Sequence, residues 1–319
     1  MKAAIRRKYG SPNSIRIEEI NKPVPTDDEL LIKVVATTVN RTDCANLTAK
    51  PFIMRFILGL FKPKKIVLGT DFAGIVEAKG KNVTSFALND RVYGFNDFGV
   101  SSQAEYITIK KESLILSIPE NIGFQEAAAS LEGASYAYSF AHKVSLNSSH
   151  KVLINGATGG IGSALLQFVK YYGSDITATC NTENIALIKS LGANKVYDYT
   201  KQDFTLSEDK FDYIFDAVGK STFGQCKPLL KKGGIYSSSE LGPYAQNLFL
   251  AIFSKRVIFP KPFPLKTSTA FIHDLLTKEK FKPVIDKNYT LDYISEAYEY
   301  VISGRKTGNV VINISNKKT

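Results

Sequence analysis

Residues 155–162 read Asn-Gly-Ala-Thr-Gly-Gly-Ile-Gly and are the part of this sequence best suited to chemistry. The chemistry is anion capture. Glycines let a backbone turn tightly and approach a phosphate closely, and a helix N-terminus offers free N–H groups and a partial positive charge. The run follows an apolar strand pattern, VLING at 152–156, and opens a helical pattern over about 160–172. In that context Gly156, Ala157, Thr158, Gly159, Gly160, Ile161 and Gly162 form the expected cradle for the pyrophosphate of a dinucleotide. The spacing is GxxGxxG with one extra glycine rather than strict GxGxxG. The competing reading is a plain glycine turn.

The next strand bears on which dinucleotide. An NAD site usually carries a carboxylate at this strand's end, about 20 residues past the first glycine, on the ribose hydroxyls. Here the strand ends Thr179-Cys180-Asn181-Thr182-Glu183. Asn181 and Thr182 are small polar groups that can take a 2′-phosphate, which favours NADP(H). Glu183, just past the tip, repels such a phosphate and keeps NAD(H) open.

The elements that must position this loop alternate in type. Strand patterns at 176–180, 195–199, 213–218 and 233–239 are interleaved with helical ones, including 183–191. Such alternation predicts a parallel, doubly wound sheet. Before it, short strands at 3–9, 15–20, 29–39, 66–79, 91–95 and 104–109 predict a β-rich domain up to about residue 123. Residues 124–142 read as an alanine-rich helix, 292–303 as a helix and 309–314 as a strand.

Composition narrows the function classes. The chain has 319 residues and a net charge of +11, yet its lysines are scattered, so nucleic acid is not an expected partner. A positive field that draws in a phosphate-bearing cofactor is more economical. Cys44, Cys180 and Cys226 lie far apart, and His142, His150 and His273 show no ligand spacing, so no metal ligand is expected. The opening MKAAIRRKYG lacks a secretory apolar segment, which reads as cytoplasmic. Residues 51–66, PFIMRFILGLFKPKKI, are apolar with basic flanks and too short to span a bilayer. They read as a helix over an active-site mouth in preference to a membrane-interface element.

Six pieces carry a family resemblance: VNRTD at 39–43, GTDFAGIVEAKG at 69–80, AEY at 104–106, GATGGIG at 156–162, FDAVG at 215–219 and KTGNVVI at 306–312. With the domain order, they make the whole chain resemble the medium-chain dehydrogenase/reductase superfamily. Within it, the chain looks like the zinc-independent, zeta-crystallin-like quinone oxidoreductase branch. The resemblance implies an α/β protein: a GroES-like catalytic domain over 1–123, completed by 262–319, and a Rossmann domain over 124–261. Zinc enzymes of the superfamily carry a cysteine where this chain has Asn40, a His-Glu pair at Thr70-Asp71, and a four-cysteine lobe where residues 86–100 have none. Neither zinc site is therefore expected.

The implied activity is hydride transfer from NADPH to a quinone or an α,β-unsaturated carbonyl, whose conjugation spreads the developing charge. An inactive nucleotide-binding relative and an alcohol or aldehyde oxidoreductase remain alternatives. Asn40 is a candidate donor to the substrate oxygen, or else a backbone cap. Asp43 reads as a structural acceptor. Tyr93 is the tyrosine chosen as a possible proton donor, with Tyr106 and Tyr136 behind it. Ala217, Val218 and Gly219 should border the dinucleotide, with Asp216 as a loop anchor. Ser237, Ser238, Ser135, Tyr136 and the returning Asn309 are weaker candidates for cofactor contact. The expected partner is a small-molecule substrate, in a homodimer.

Overall fold

The computed structural model describes residues 1–238, 246–260 and 264–314. Ser239, the last residue of the expected 233–239 strand, lies outside the described residues. The chain divides into two compact units, Met1–Glu132 with Ile285–Thr319, and Gly133–Val284. The sequence expectation placed these divisions at 123/124 and 261/262.

Elements are numbered along the chain. The first unit holds β1 (Lys2–Ile5), β2 (Arg16–Glu19), β3 (Glu29–Val39), α1 (Arg41–Thr48), α2 (Met54–Leu58), β4 (Asp71–Lys79), β5 (Arg91–Phe95), β6 (Tyr106–Lys110), β7 (Ile115–Ser117) and α3 (Phe124–Ala129), then β14 (Ile285–Thr290), α10 (Ile294–Ile302) and β15 (Asn309–Asn313). Its main sheet runs β14-β15-β3-β4-β5-β7, with β6 also paired to β3. β3 is flanked by β15, β4 and β6, all antiparallel. Its second half is buried on successive residues, Ala36 to Val39, and the two polar ones, Thr37 and Thr38, are satisfied by Asp71. α3 packs across β3, β4 and β15, so it belongs to this unit. The expected single helix over 124–142 is two helices. The Ser130 hydroxyl donates to the Ala127 carbonyl (2.8 Å), a side-chain bond that competes with the helical ladder where α3 ends.

α4 (Glu132–Ala141) begins at the division. The second unit continues with β8 (Lys151–Asn155), α5 (Gly160–Tyr171), β9 (Asp175–Cys180), α6 (Ile185–Leu191), β10 (Lys195–Asp198), β11 (Phe211–Asp216), α7 (Phe223–Cys226), β12 (Leu230–Ser238), α8 (Gln246–Phe253), β13 (Val257–Ile258) and α9 (Leu265–Thr277). α9 joins this unit through Phe271, whose ring meets those of Phe168 and Tyr138 edge-on. The parallel sheet runs β10-β9-β8-β11-β12-β13. β8 is thus the point at which the chain turns from building one half of the sheet to building the other. Ligands of open α/β sheets bind outside the C-terminal strand ends at such a switch point.

Candidate active site

At the switch point, β8 ends at Asn155 and α5 starts at Gly160, with Gly159 as its N-cap. Three glycines here, Gly156 and Gly159 between the two elements and Gly162 in the first turn of α5, serve different ends. Gly156 has φ +80°, a conformation L-residues rarely adopt, and a Cβ there would lie 2.7 Å from Val218. A Cβ on Gly162 would lie 2.1 Å from the Gly156 carbonyl oxygen, so this glycine permits the close approach of helix to strand. Gly159 has φ −70°, allowed to any residue, and a Cβ there would meet nothing within 4 Å. The space above Gly159 is open, and the first-turn N–H groups of α5 have no intrahelical acceptor. Ala157 is buried, its N–H donating to the Thr179 carbonyl (3.2 Å), whereas Thr158, Gly160 and Ile161 are partly exposed. These residues fit the pyrophosphate of a dinucleotide.

The loop is braced from beneath. Thr179 Oγ1 donates to Asn155 Oδ1 (2.7 Å) and accepts the Gly156 N–H (2.9 Å). Asn155 Nδ2 donates to Asp216 Oδ1 (3.2 Å). The same oxygen accepts the N–H groups of Gly219 (2.8 Å) and Val218 (3.2 Å), while Oδ2 accepts both the N–H and the hydroxyl of Ser221. Asp216 therefore anchors the 217–221 loop, which places Ala217, Val218 and Gly219 beside the glycine turn. Ser237 is buried on β12, and its hydroxyl has no hydrogen-bond partner among the described residues. Ser238 is paired in register with Asp216, and Ser135 accepts from the Ser268 hydroxyl (3.4 Å).

The tip of β9 is shared with β10, because Asp198 lies in register with Cys180. Thr182 Oγ1 donates to Asp198 Oδ2, and the Thr200 hydroxyl donates to Oδ1 (2.6 Å). These bonds hold the Asp198 carboxyl below the usual carboxylate range. Asn181 Oδ1 accepts from Asn184 Nδ2 (2.6 Å). Lys201 Nζ stands 3.7 Å from Asp198 Oδ2 on a largely exposed side chain, next to exposed Tyr199. Asp198, Tyr199 and Lys201 were missed in sequence. The available signal was that parallel strands end along one edge, so the tip of β10 belongs to the same site as the tip of β9.

In the first unit, Asn40 caps α1. Its Oδ1 accepts the Asp43 N–H (2.8 Å), and the Asp43 carboxylate accepts the Asn40 N–H (3.1 Å). This is a reciprocal capping box. Asn40 Nδ2 donates to Thr70 Oγ1 (2.8 Å) and Asp71 Oδ2 (3.3 Å). Both ends of the amide are in use, so a substrate oxygen would have to displace one of these acceptors. Asp43 keeps one buried oxygen, Oδ1, without a partner among the described residues. Burial and the neighbouring Asp71 push its carboxyl well up. Asp71 accepts from the Thr38 N–H and hydroxyl, yet burial still raises it to about 6. Glu132, which accepts from Thr42 Oγ1 (2.8 Å), is raised by burial to about 7. Sequence reasoning missed Glu132, although an acid set among apolar residues in the middle of the alanine-rich 124–142 stretch was the signal.

Tyr93 lies fully buried on β5, opposite Ala73 and Leu116, and burial pushes its phenol up, making it a weaker acid than a free tyrosine. Asn309 opens β15 beside Ile285 and is nearly buried. Cys44 is pushed up to about 12 by burial, which leaves it a neutral thiol. Among the described residues, no three His, Cys, Asp or Glu side chains group as metal ligands, and no helix is long and apolar enough to cross a membrane.

A family model described as an alcohol dehydrogenase GroES-like domain matches residues 26–143, and one described as a zinc-binding dehydrogenase matches residues 191–312. The chain is 32% identical over 332 residues to a 2-methylene-furan-3-one reductase of Solanum lycopersicum, covering 98% of this chain and 79% of that protein. It is 28% identical to an NADPH-dependent alkenal/one oxidoreductase, chloroplastic, of Arabidopsis thaliana, with coverage of 98% and 79%. The solved quinone oxidoreductase of Coxiella burnetii superposes with a TM-score of 0.86 at 24% identity, over 99% of each chain.

Proposed function

Because the chain belongs to the medium-chain dehydrogenase/reductase superfamily, as an oxidoreductase of the quinone-oxidoreductase branch, we propose that it reduces quinones or α,β-unsaturated carbonyls with NADPH and without zinc. The observation that carries this reading is the donor set at the N-terminus of α1. Asn40 and Thr70 offer an amide and a hydroxyl bonded to each other, which are poor zinc ligands and modest hydrogen-bond donors. Such donors suit an acceptor whose conjugation already spreads charge, and serve a simple ketone badly. The named activities of the two sequence relatives, on a furanone and on alkenals, support the same substrate class.

When bound, the nicotinamide cofactor supplies the hydride. The chain's own groups do the rest. The first-turn N–H groups of α5 and the open space above Gly159 receive the pyrophosphate. Asp216 holds the 217–221 loop that borders it. Lys201 offers a cation to a 2′-phosphate, while Asp198 is occupied by Thr182 and Thr200. The relative named as NADPH-dependent supports this choice of cofactor. Burial raises Glu132 to about 7, so its carboxyl keeps its proton to higher pH than an ordinary glutamate does, one hydrogen bond from Thr42. The exposed apolar residues Phe249, Ile252 and Phe253 on α8, next to edge strand β13, support a homodimer.

The test is NADPH oxidation by a simple quinone, run with and without chelator, together with elemental analysis. Turnover that survives chelation, on protein without stoichiometric zinc, supports the reading. About one zinc per chain, lost together with activity, overturns it. No oxidation with any quinone or enone would favour the inactive nucleotide-binding alternative.

A further inference from the structure

Residues 44–70 contain no acid and five bases, Lys50, Arg55, Lys62, Lys64 and Lys65. The expected helix here is only α2, Met54–Leu58, and it does not bury its apolar residues. Phe52, Ile53, Phe56, Ile57, Leu60 and Phe61 are all exposed, Ile53 to 69% and Phe61 to 90%. Phe98, on a neighbouring loop, is exposed as well. An apolar cluster this dense on a protein surface marks an interaction site.

The ridge is held firmly. Leu58 is buried beneath it, the Tyr9 hydroxyl donates to the Gly59 carbonyl (2.7 Å), and Arg55 lies over the Tyr9 ring at 5.1 Å. Under Ile57 and Leu58 is a cavity of about 140 Å³, lined also by Arg6, Lys64 and Lys65. Arg6 is only 4% exposed. Its guanidinium donates to the Asn46 carbonyl, faces the Tyr9 ring and feels the charge of Asp43 without a direct ion pair among the described residues, where Nε has no hydrogen-bond partner. Lys65 Nζ reaches the Gly99 carbonyl, not a carboxylate. A buried permanent cation with a spare donor, beside two lysines, is a receptor for an anion. The cavity has room for several waters, and so for one phosphate group.

An apolar ridge with basic flanks and a basic cavity at its base matches one surface, that of an anionic bilayer. The apolar side chains enter the headgroup–acyl boundary and the cations meet lipid phosphates. A second copy of this chain would have to present an acidic rim around an apolar socket. The observation that selects a bilayer is the pairing of an exposed apolar ridge with five bases and no acid over residues 44–70. We propose that residues 52–65 form a membrane-surface docking site, in which the ridge enters an anionic lipid interface and the Arg6–Lys64–Lys65 cavity receives a lipid phosphate. This stands independently of the reductase reading.

The test is flotation of the full chain with vesicles of phosphatidylcholine alone, or of phosphatidylcholine with phosphatidylglycerol, at physiological salt. The chain should float with the anionic vesicles and not with the neutral ones. Phe56→Ser with Phe61→Ser should lower partitioning at least tenfold without changing the melting temperature, since both side chains are exposed. Lys62→Glu, Lys64→Glu and Lys65→Glu together should abolish it. A control with the same charge change elsewhere, Lys110→Glu, Lys189→Glu and Lys280→Glu, should lower it far less. The proposal fails if anionic vesicles do not bind the chain, if the double Phe variant binds like the parent, or if both lysine triples lose equally. The last result would assign binding to the overall charge of +11.

Discussion

The glycine loop at the start of α5 and the Asn40 cap at the start of α1 are both helix N-termini, and they differ in what they leave unsatisfied. At the loop, a Cβ placed on Gly159 would meet nothing within 4 Å. The Asn40 cap is filled by its own side chains: Asn40 exchanges bonds with Asp43 and donates to Thr70 and Asp71, which leaves Asp43 Oδ1 as the one atom of the set without a partner among the described residues. One terminus leaves the space before its first-turn N–H groups open, and the other is capped by its own side chains. The difference shows that one helix start keeps room for a ligand while the other uses its polar groups on the fold.

The largest expected effect separates two glycines of the same loop. Gly162→Val should prevent proper folding, because even its Cβ would press on the Gly156 carbonyl at 2.1 Å. Overpacking of this kind costs about 3 kcal/mol or more. Gly159→Val should melt within a few degrees of the parent but bind NADPH at least tenfold more weakly, by fluorescence titration. A folded Gly159→Val variant with unchanged affinity would reduce the loop to a turn.

The cap predicts the reverse pattern. Asn40→Ala removes a capping box, worth about 1 kcal/mol, so the melting temperature should fall by several degrees. Turnover should drop more than NADPH affinity does. Equal losses in both would mean that the cap acts only through the fold.

The buried acids near the cap give a pH signature. Glu132 is raised to about 7 in the fold, above the ordinary glutamate value of 4.5. Between those values the folded chain holds a proton that the unfolded chain has released, so this group's stability contribution falls as pH rises through that window. Glu132→Gln keeps an acceptor for Thr42 and removes the titration. Its melting temperature relative to the parent should be near zero at pH 4.5 and rise to a plateau above pH 7. The plateau should correspond to about 3 kcal/mol, or several degrees. A difference that does not vary with pH would place the Glu132 titration elsewhere.

The smallest effect concerns the β9 tip. Glu183 is exposed just beyond Thr182, so Glu183→Lys should tighten NADPH binding a few-fold, and less at high salt. NADH gaining more than NADPH would contradict the placement of the 2′-phosphate near Lys201.

The parts legible in sequence are those fixed by backbone periodicity. β3 was expected over 29–39 and is found at Glu29–Val39, and the strand–glycine–helix passage from β8 into α5 falls where VLING and the 160–172 pattern placed it. Less was legible where side chains meet across elements. The acid at the β9 tip is supplied by Asp198 from the neighbouring strand, which strand spacing alone does not reveal. Glu132 finds Thr42 at a sequence separation of 90. The break after α3 depends on a single serine hydroxyl. The apolar run at 51–66 reads the same whether its side chains cover a pocket or face solvent, and only the fold shows Phe61 exposed.

The central claim is that this site transfers hydride to conjugated acceptors using only modest donors. Steady-state NADPH oxidation, compared across one enone, one quinone and a saturated ketone of matched shape, tests it most directly. The account predicts that the enone or the quinone has a kcat/KM at least a hundredfold above that of the ketone, a difference of about 2.7 kcal/mol in transition-state stabilisation. If the saturated ketone, or oxidation of its alcohol, is the fastest reaction, the Asn40–Thr70 donor set cannot be the whole of the catalytic apparatus and the proposed mechanism is wrong.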